Sequence, residues 1–420
     1  MTSIVNATTN PAVLDWPQTD EGFAVPYDVF TSPDVYVREQ ERIFRGENWS
    51  FVALEAEIPN SGDYKTTFIG DTPVVVTRDD EGGINVIQNR CAHRGALVCR
   101  ELRGNAAHLE CVYHQWAYDL KGKLLGVPFR RGVKGKGGMP KSFDLGAHGL
   151  DVLRTETLAG LVFATFSDGA PPLADYLGPT TVAAVTRIFN RPVAVLGDQR
   201  QFMHGNWKLY AENTRDPYHA SLLHLFHNTF GLYRASQQGA SVMDGDGRHS
   251  LLYTRASTTD EAVDREIYKD SRSLNSEFRL QDPSLLAGRA DFDDDITLVI
   301  LSIFPNVIVQ QIANTLAVRQ IVTHGEDGFE LVWTHFGYAD DDEEMRAIRI
   351  KQSNLIGPAG LISMEDGEAV EIVQKAVVRD REKASYIAMG GGRAEDAEHL
   401  VTEGAIIGFW EAYRQQMAAA

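Results

Sequence analysis

The rhythm of apolar and polar residues changes twice along this chain, and the changes divide it. Between Asp34 and Phe44, apolar residues recur at helical intervals among mixed charges, which predicts a surface-packed helix. From about Trp49 the rhythm shortens to β-like runs broken by Gly, Pro and Asp, as in Tyr64–Ile69, Pro73–Thr77 and Ile84–Ile87. Tyr118–Leu124 reads as a hairpin turning near Lys121-Gly122, and Leu161–Phe166 as the strand that closes this region. The Gly- and Lys-rich stretch Arg131–Gly138 reads as a loop, either solvated or contacting a partner. After Pro171-Pro172 the pattern is mixed: helical near 205–228, strands near 297–312, 314–322 and 328–337, and helices near 341–356 and 403–417. There is no internal repeat. The expected class is α+β, with an N-terminal helical segment at 1–45 packing on the larger domain, a small all-β domain at 46–168 and a larger domain at 169–420.

Length and composition fit this division. A chain of 420 residues, 43% hydrophobic and 23% charged, has ample length for two cores. No apolar run is long enough to span a bilayer, and Met1–Asn6 lacks the basic-then-apolar pattern of a secretory leader. With only three cysteines and Cys99 left without a motif, a disulfide framework is not expected, and a reducing cytoplasm is. The net charge of −18 argues against nucleic acid or an anionic membrane as principal partner, while a small anionic substrate remains open because a pocket can oppose the global sign.

Two constellations carry chemistry. Cys91-Ala92-His93 and Cys111-Val112-Tyr113-His114 each offer one thiolate and one imidazole. Structural zinc sites more often place like ligands together, Cys-x2-Cys opposite His-x3-5-His, whereas a 2Fe-2S centre with two Cys on one iron and two His on the other suits mixed pairs. The indole of Trp116, two residues on, is positioned to shield such a cluster. The second constellation is Asp216-Pro217-Tyr218-His219-Ala220-Ser221-Leu222-Leu223-His224. Five residues advance an ideal helix by roughly 140°, so the two imidazoles need a bend or a helix end between them to share a site. Two His and one carboxylate are the facial ligand set of non-haem Fe(II) oxygenases. Asp216 is the nearest acid, and Asp366, in a Gly-flanked apolar segment expected to precede a helix, is the distant one.

Over nearly its whole length the chain resembles the large (α) subunits of Rieske non-haem iron aromatic-ring-hydroxylating oxygenases. The phrases NRCAHRGA, CVYHQW, GMP, NWKLY, DPYHASLLH, GYADD and NLIGPAGLISMEDGE most resemble the group acting on aromatic carboxylates, namely the salicylate hydroxylases, anthranilate dioxygenases and terephthalate dioxygenases. The resemblance implies a Rieske domain inserted into a helix-grip catalytic domain. It implies that Cys91, His93, Cys111 and His114 hold the 2Fe-2S cluster and that His219, His224 and Asp366 hold a mononuclear Fe(II). Asp216 becomes the acid that bridges an iron-ligating His to a cluster-ligating His of a neighbouring subunit. No role carries over to Asn213, which stands three residues before Asp216 where some members have an Asn four before. Implied partners are O2, a ferredoxin with an NADH-dependent reductase, a small β subunit, and further copies in an α3 or α3β3 trimer.

A carboxylate substrate calls for a cation, and Arg319, on one face of the strand-like run Thr315–Val322, is the candidate. Met389-Gly390-Gly391-Gly392, which resembles a place where terephthalate-type relatives carry Arg, offers no second cation before Arg393, and this favours an ortho-substituted monocarboxylate of salicylate or anthranilate type, converted to a catechol. Terephthalate 1,2-dioxygenation and salicylate 5-hydroxylation to gentisate are the alternatives within the family. An electron-transfer protein without oxygen chemistry and a zinc-stabilised binding module are those outside it.

Overall fold

The computed structural model describes residue 16 and residues 22–244, 246–256, 261–275 and 277–418; Met1–Asn6 lies outside the described residues. The expected short β runs assemble into an antiparallel seven-stranded sheet. Its order is Ser50–Leu54, Leu161–Thr165, Val152–Leu158, Ile84–Gln88, Thr72–Arg78, Asp63–Ile69 and Arg103–Asn105. Beside it, Leu109–Glu110, Ala117–Tyr118 and Leu124–Gly126 form a three-stranded sheet containing the expected hairpin. Residues 131–138 form the expected loop, closed by a backbone bridge between Val133 and Lys136.

A second antiparallel sheet organises the rest of the chain, in the order Val193–Met203, Phe329–Tyr338, Thr315–Thr323, Val307–Ile312, Ile296–Ile303, Ser250–Arg255 and Gly239–Met243. Residues 297–312 fold into two paired strands because Pro305 has no N–H for a ladder and Asn306 turns its amide to the Phe51 backbone. Thr315–Thr323 is buried throughout, as a central strand covered on both faces must be. Polar stitches join the two sheets: Gln320 accepts from Thr67 and donates to the carbonyls of Phe51 and Phe68.

The N-terminal helix Pro33–Glu39 ends at a buried acid that ties three elements together. Glu39 takes hydrogen bonds from Trp207 Nε1 at 2.8 Å and Tyr413 at 2.5 Å, and pairs with Lys208 at 2.6 Å.

The helical stretch expected near 205–228 is three short helices, Trp207–Asn213, Pro217–Leu223 and Leu225–Phe230. Asp366 departs from expectation. It lies inside the helix Leu361–Val377, not before one. Gly360 starts this helix where a Cβ would come within 2.0 Å of the Leu355 carbonyl oxygen, so only glycine allows the tight approach.

Candidate functional site

The two Cys-His loops are built alike. Cys91 N–H donates to Ala96 O and Gly95 N–H returns to Cys91 O; Cys111 N–H donates to Trp116 O and Gln115 N–H returns to Cys111 O. Each loop closes through a residue of positive φ, 75° at Gly95 and 54° at Gln115. Both thiols are buried, while His93 is exposed and His114 half-buried, with ring centroids 4.6 Å apart. Trp116 stacks on His93 at 4.7 Å and 6°, in the shielding position expected of it.

Tyr118, which sequence reasoning passed over, accepts from Ala92 N–H and lies 3.2 Å from Cys91 Sγ, so its hydroxyl proton is free to point at the sulfur. Such bonds help set a cluster's potential. Cys99 is held apart, its thiol pushed up to about 12 by burial.

The second site forms where a helix breaks. Asp216 caps the helix Pro217–Leu223, its Oδ1 accepting from Tyr218 N–H at 2.7 Å and His219 N–H at 3.1 Å, with Pro217 at the first helical position. His224 terminates the same helix with extended backbone, φ −86° and ψ 97°. That helix end redirects the second imidazole, and the two rings come within 5.5 Å. Asp366 Oδ1 lies 3.4 Å from His219 Nε2 and 3.2 Å from His224 Nε2. Three donors at about 2.1 Å from one ion and at right angles would stand about 3.0 Å apart, so this donor set fits a facial metal triad. Among the described residues it is the one group of three or more His, Cys, Asp or Glu side chains with donor atoms all within 4.8 Å. The Cys-His quartet is not so drawn together, as a single tetrahedral ion would require, and suits a two-iron cluster.

The triad draws positive charge. Burial opposes protonation of His219, yet Asp216 and Asp366 hold its imidazole up at about 10, while His219 and His224 keep the buried Asp366 well below the usual carboxylate range. Two supporting residues have no role in the sequence reading. Asn213 Nδ2 donates to Asp366 Oδ1 at 3.1 Å, and Glu365 Oε2 lies 2.8 Å from His224 Nδ1. Asp216 Oδ2 approaches His219 Nδ1 at 3.4 Å, near enough to steer it but too long for a well-formed hydrogen bond.

A pocket opens on the triad, walled by Leu252, Leu298, Ile300, Ile312 and Ile362. Arg319 reaches it from the sheet, buried, stacked 4.3 Å over Trp333 and donating to the Tyr210 hydroxyl at 2.8 Å. Among the described residues no carboxylate lies within ion-pair distance of its guanidinium. Arg393, by contrast, is turned outward, its side chain 77% exposed beside Glu395.

Comparison with known proteins accords with this geometry. Residues 48–136 match the Rieske 2Fe-2S domain family, and residues 192–419 the ring hydroxylating alpha subunit catalytic domain family. The chain is 53% identical over 399 residues to the large subunit of anthranilate 1,2-dioxygenase of Burkholderia cepacia, covering 95% of this chain and 94% of the relative. It is 47% identical to subunit alpha 2 of the terminal oxygenase component of terephthalate 1,2-dioxygenase of Comamonas sp, over 94% of this chain and 95% of that one. It is 44% identical to the large oxygenase component of salicylate 5-hydroxylase of Ralstonia sp, over 96% of each. Naphthalene 1,2-dioxygenase from Rhodococcus sp., solved with indole bound, shares the fold with a TM-score of 0.79 at 24% identity, over 94% of each chain. No described helix is long and apolar enough to cross a membrane. The chain belongs to the Rieske ring-hydroxylating oxygenase family, as an oxidoreductase large subunit with a 2Fe-2S domain and a mononuclear iron catalytic domain.

Proposed function

We propose that this chain hydroxylates an aromatic monocarboxylate of the ortho-amino or ortho-hydroxy benzoate class, giving a catechol. One observation carries the reading: Arg319, a buried guanidinium with no carboxylate partner among the described residues, reaches the pocket that opens on the triad. Its planar fork suits a carboxylate through two parallel hydrogen bonds. A second carboxylate, as in terephthalate, would meet the apolar wall, because Arg393 faces solvent. The names of the most similar relatives, acting on anthranilate, terephthalate and salicylate, support the carboxylate class.

His219, His224 and Asp366 would hold a ferrous iron, which would supply O2 activation, and Cys91, His93, Cys111 and His114 would hold the 2Fe-2S cluster, which would supply electrons singly. The chain's own residues do the positioning. Glu365 fixes the tautomer of His224, and Asn213 holds the Asp366 carboxylate in place. Asp216 fixes the backbone of His219 and steers its ring, and its side chain is 18% exposed, open to a neighbour.

Among the described residues no hydrogen bond or ring contact joins the cluster loops to the triad. A cluster-ligating His of a second copy, brought against Asp216, would join the two metal sites, and this supports an α3 ring. Relatives named as large subunits support a small β partner as well. The unpaired Cys91, Cys99 and Cys111 support a reducing cytoplasm. Sheet membership supports a domain division near 168, between the strand Leu161–Thr165 and the helix starting at Leu173.

The test is turnover with NADH, a reductase and a ferredoxin against 2-aminobenzoate, 2-hydroxybenzoate and terephthalate, with products identified by mass. Catechol, released with carbon dioxide and, from the amine, ammonium, supports the reading. Gentisate from 2-hydroxybenzoate, or turnover of terephthalate alone, refutes it.

A further inference from the structure

The pocket holds one more polar group that neither the triad nor the carboxylate clamp uses. His227 lies on the helix Leu225–Phe230, three residues beyond His224, and lines the pocket while only 3% exposed. Among the described residues neither of its ring nitrogens has a hydrogen-bond partner. Its ring packs beside His224 at 5.0 Å and Tyr233 at 6.1 Å. Other buried histidines differ. His249 meets the Tyr176 carbonyl and the Phe304 N–H, each at 3.0 Å, and His224 is engaged by Glu365 and Asp366.

The remaining polar groups of the pocket wall are already committed. Tyr233 donates to Pro217 O at 2.8 Å, Thr214 to Ala211 O, Asn213 to Asp366, and Asp216 accepts from Tyr218 and His219. That leaves the guanidinium of Arg319 and the imidazole of His227. A neutral imidazole offers one donor and one acceptor, whichever tautomer it adopts. A carboxylate cannot use both, since it only accepts. An amino or hydroxyl group on an aromatic ring both donates and accepts.

We propose that His227 recognises a second, uncharged hydrogen-bonding substituent on the substrate ring, an amino or hydroxyl group, and thereby sets the preference of the enzyme among benzoates. The proposal rests on the carboxylate reading above and adds to it the residue that distinguishes one benzoate from another. A site built to hydrogen-bond a substituent discriminates against the analogue that lacks it, because its own buried polar group is then left unpaired.

The test is anaerobic calorimetric titration of the iron-loaded, full-length protein with benzoate, 2-aminobenzoate and 2-hydroxybenzoate. The wild type should bind at least one substituted acid about tenfold more tightly than benzoate, a ratio typical of one uncharged hydrogen bond. His227→Phe should bring the ratio below about threefold while leaving the benzoate Kd within about twofold. His227→Gln, which keeps a donor and an acceptor, should retain part of the preference, and it serves in place of the Phe variant should that fail to fold. Arg319→Met should weaken all three acids by a common factor and leave the ratio intact. An unchanged ratio in both His227 variants overturns the proposal, as does loss of the mononuclear iron from both, which would make His227 a metal ligand. Benzoate binding with no preference in the wild type overturns this inference alone, whereas binding of none of the acids overturns the carboxylate reading with it.

Discussion

Replacing Arg319 by Met separates the two things a buried cation can do. If Arg319 waits for a carboxylate, binding loses two charge-assisted hydrogen bonds, each contributing about 1.5–3 kcal/mol. Part of that loss is recovered because water enters the space the guanidinium leaves and solvates the carboxylate. A net cost of about 3 kcal/mol, or about 150-fold in Kd, is the expected size. The ligand-free protein should respond in the opposite sense. Its guanidinium holds only the Tyr210 hydroxyl at 2.8 Å and the face of Trp333 at 4.3 Å, and its Nε has no partner. Removing it orphans one hydroxyl, at about 1–2 kcal/mol, and forfeits a cation–π contact of about 1 kcal/mol. It also relieves the burial of an unpaired charge, which is worth several kcal/mol. The melting temperature of the ligand-free variant should therefore stay within about 3 °C of wild type or rise. Calorimetry with 2-aminobenzoate and a thermal melt of the same preparation report both quantities. A Kd change below threefold, or a collapse of the melt by more than about 10 °C, would make Arg319 a structural residue and refute the clamp.

Three further perturbations follow from the same packing. Asp216→Asn keeps the Oδ1 that caps Tyr218 and His219, so both metals should remain bound and the melt should shift by less than about 2 °C, while turnover falls at least about 100-fold; unchanged turnover rules out the bridge. Lys208→Met strands the Glu39 carboxylate among Trp207 and Tyr413 and should cost about 3–5 kcal/mol in denaturant unfolding, most of it regained on adding Glu39→Gln; equal losses in the single and double variants would refute the pairing. Burial raises the Glu212 carboxyl from 4.5 to about 8 despite the hydrogen bond from Trp410. Its folded pKa exceeds its unfolded one, so its stabilisation is complete below about pH 4.5 and declines by about 1.4 kcal/mol per pH unit toward pH 8. Glu212→Gln should lack that decline, and parallel melt-against-pH curves for the two proteins would contradict it.

Chemistry carried by local spacing was legible in the sequence, and chemistry assembled across the fold was not. Cys91, His93, Cys111 and His114 stand out because each pair sits in one short loop whose own backbone bonds fix it. His219 and His224 were legible as a pair, and the 140° problem between them is met by a helix that ends at the second histidine. Glu365 and Asn213 gave no signal, since their partners His224 and Asp366 lie 141 and 153 residues away in sequence. Asp366, with Gly367 after it in a Gly-flanked apolar segment, is expected before a helix. The helix runs on through both, and a Cβ at Gly367 would meet Gln201 Nε2 at 2.9 Å, so the small residue permits close packing. The strand Val193–Met203 was missed because it is an edge strand whose exposed Asp198 and Arg200 and interrupting Gly197 dilute its alternation.

How this fold treats its other buried charges shows why Arg319 stands out. Arg349 is engaged by Asp291, Asp341 and the Asn314 carbonyl, Arg234 by Asp264 and Lys208 by Glu39. Arg215, with no acid beside it, still donates to the carbonyls of Ala211 and Arg248. Where a charge serves packing, the chain brings an acid or carbonyls to it. Arg319 has one hydroxyl, one indole face and a side open toward the pocket, and His227 has no hydrogen-bond partner among the described residues. Buried groups left this way cost stability and persist where function uses them. Their partners must then arrive with a ligand, and a ligand that supplies them binds the folded state alone. Substrate at 100 times its Kd should therefore stabilise the protein by about 2.7 kcal/mol, a gain that Arg319→Met cuts to about 0.3 kcal/mol at the same substrate concentration.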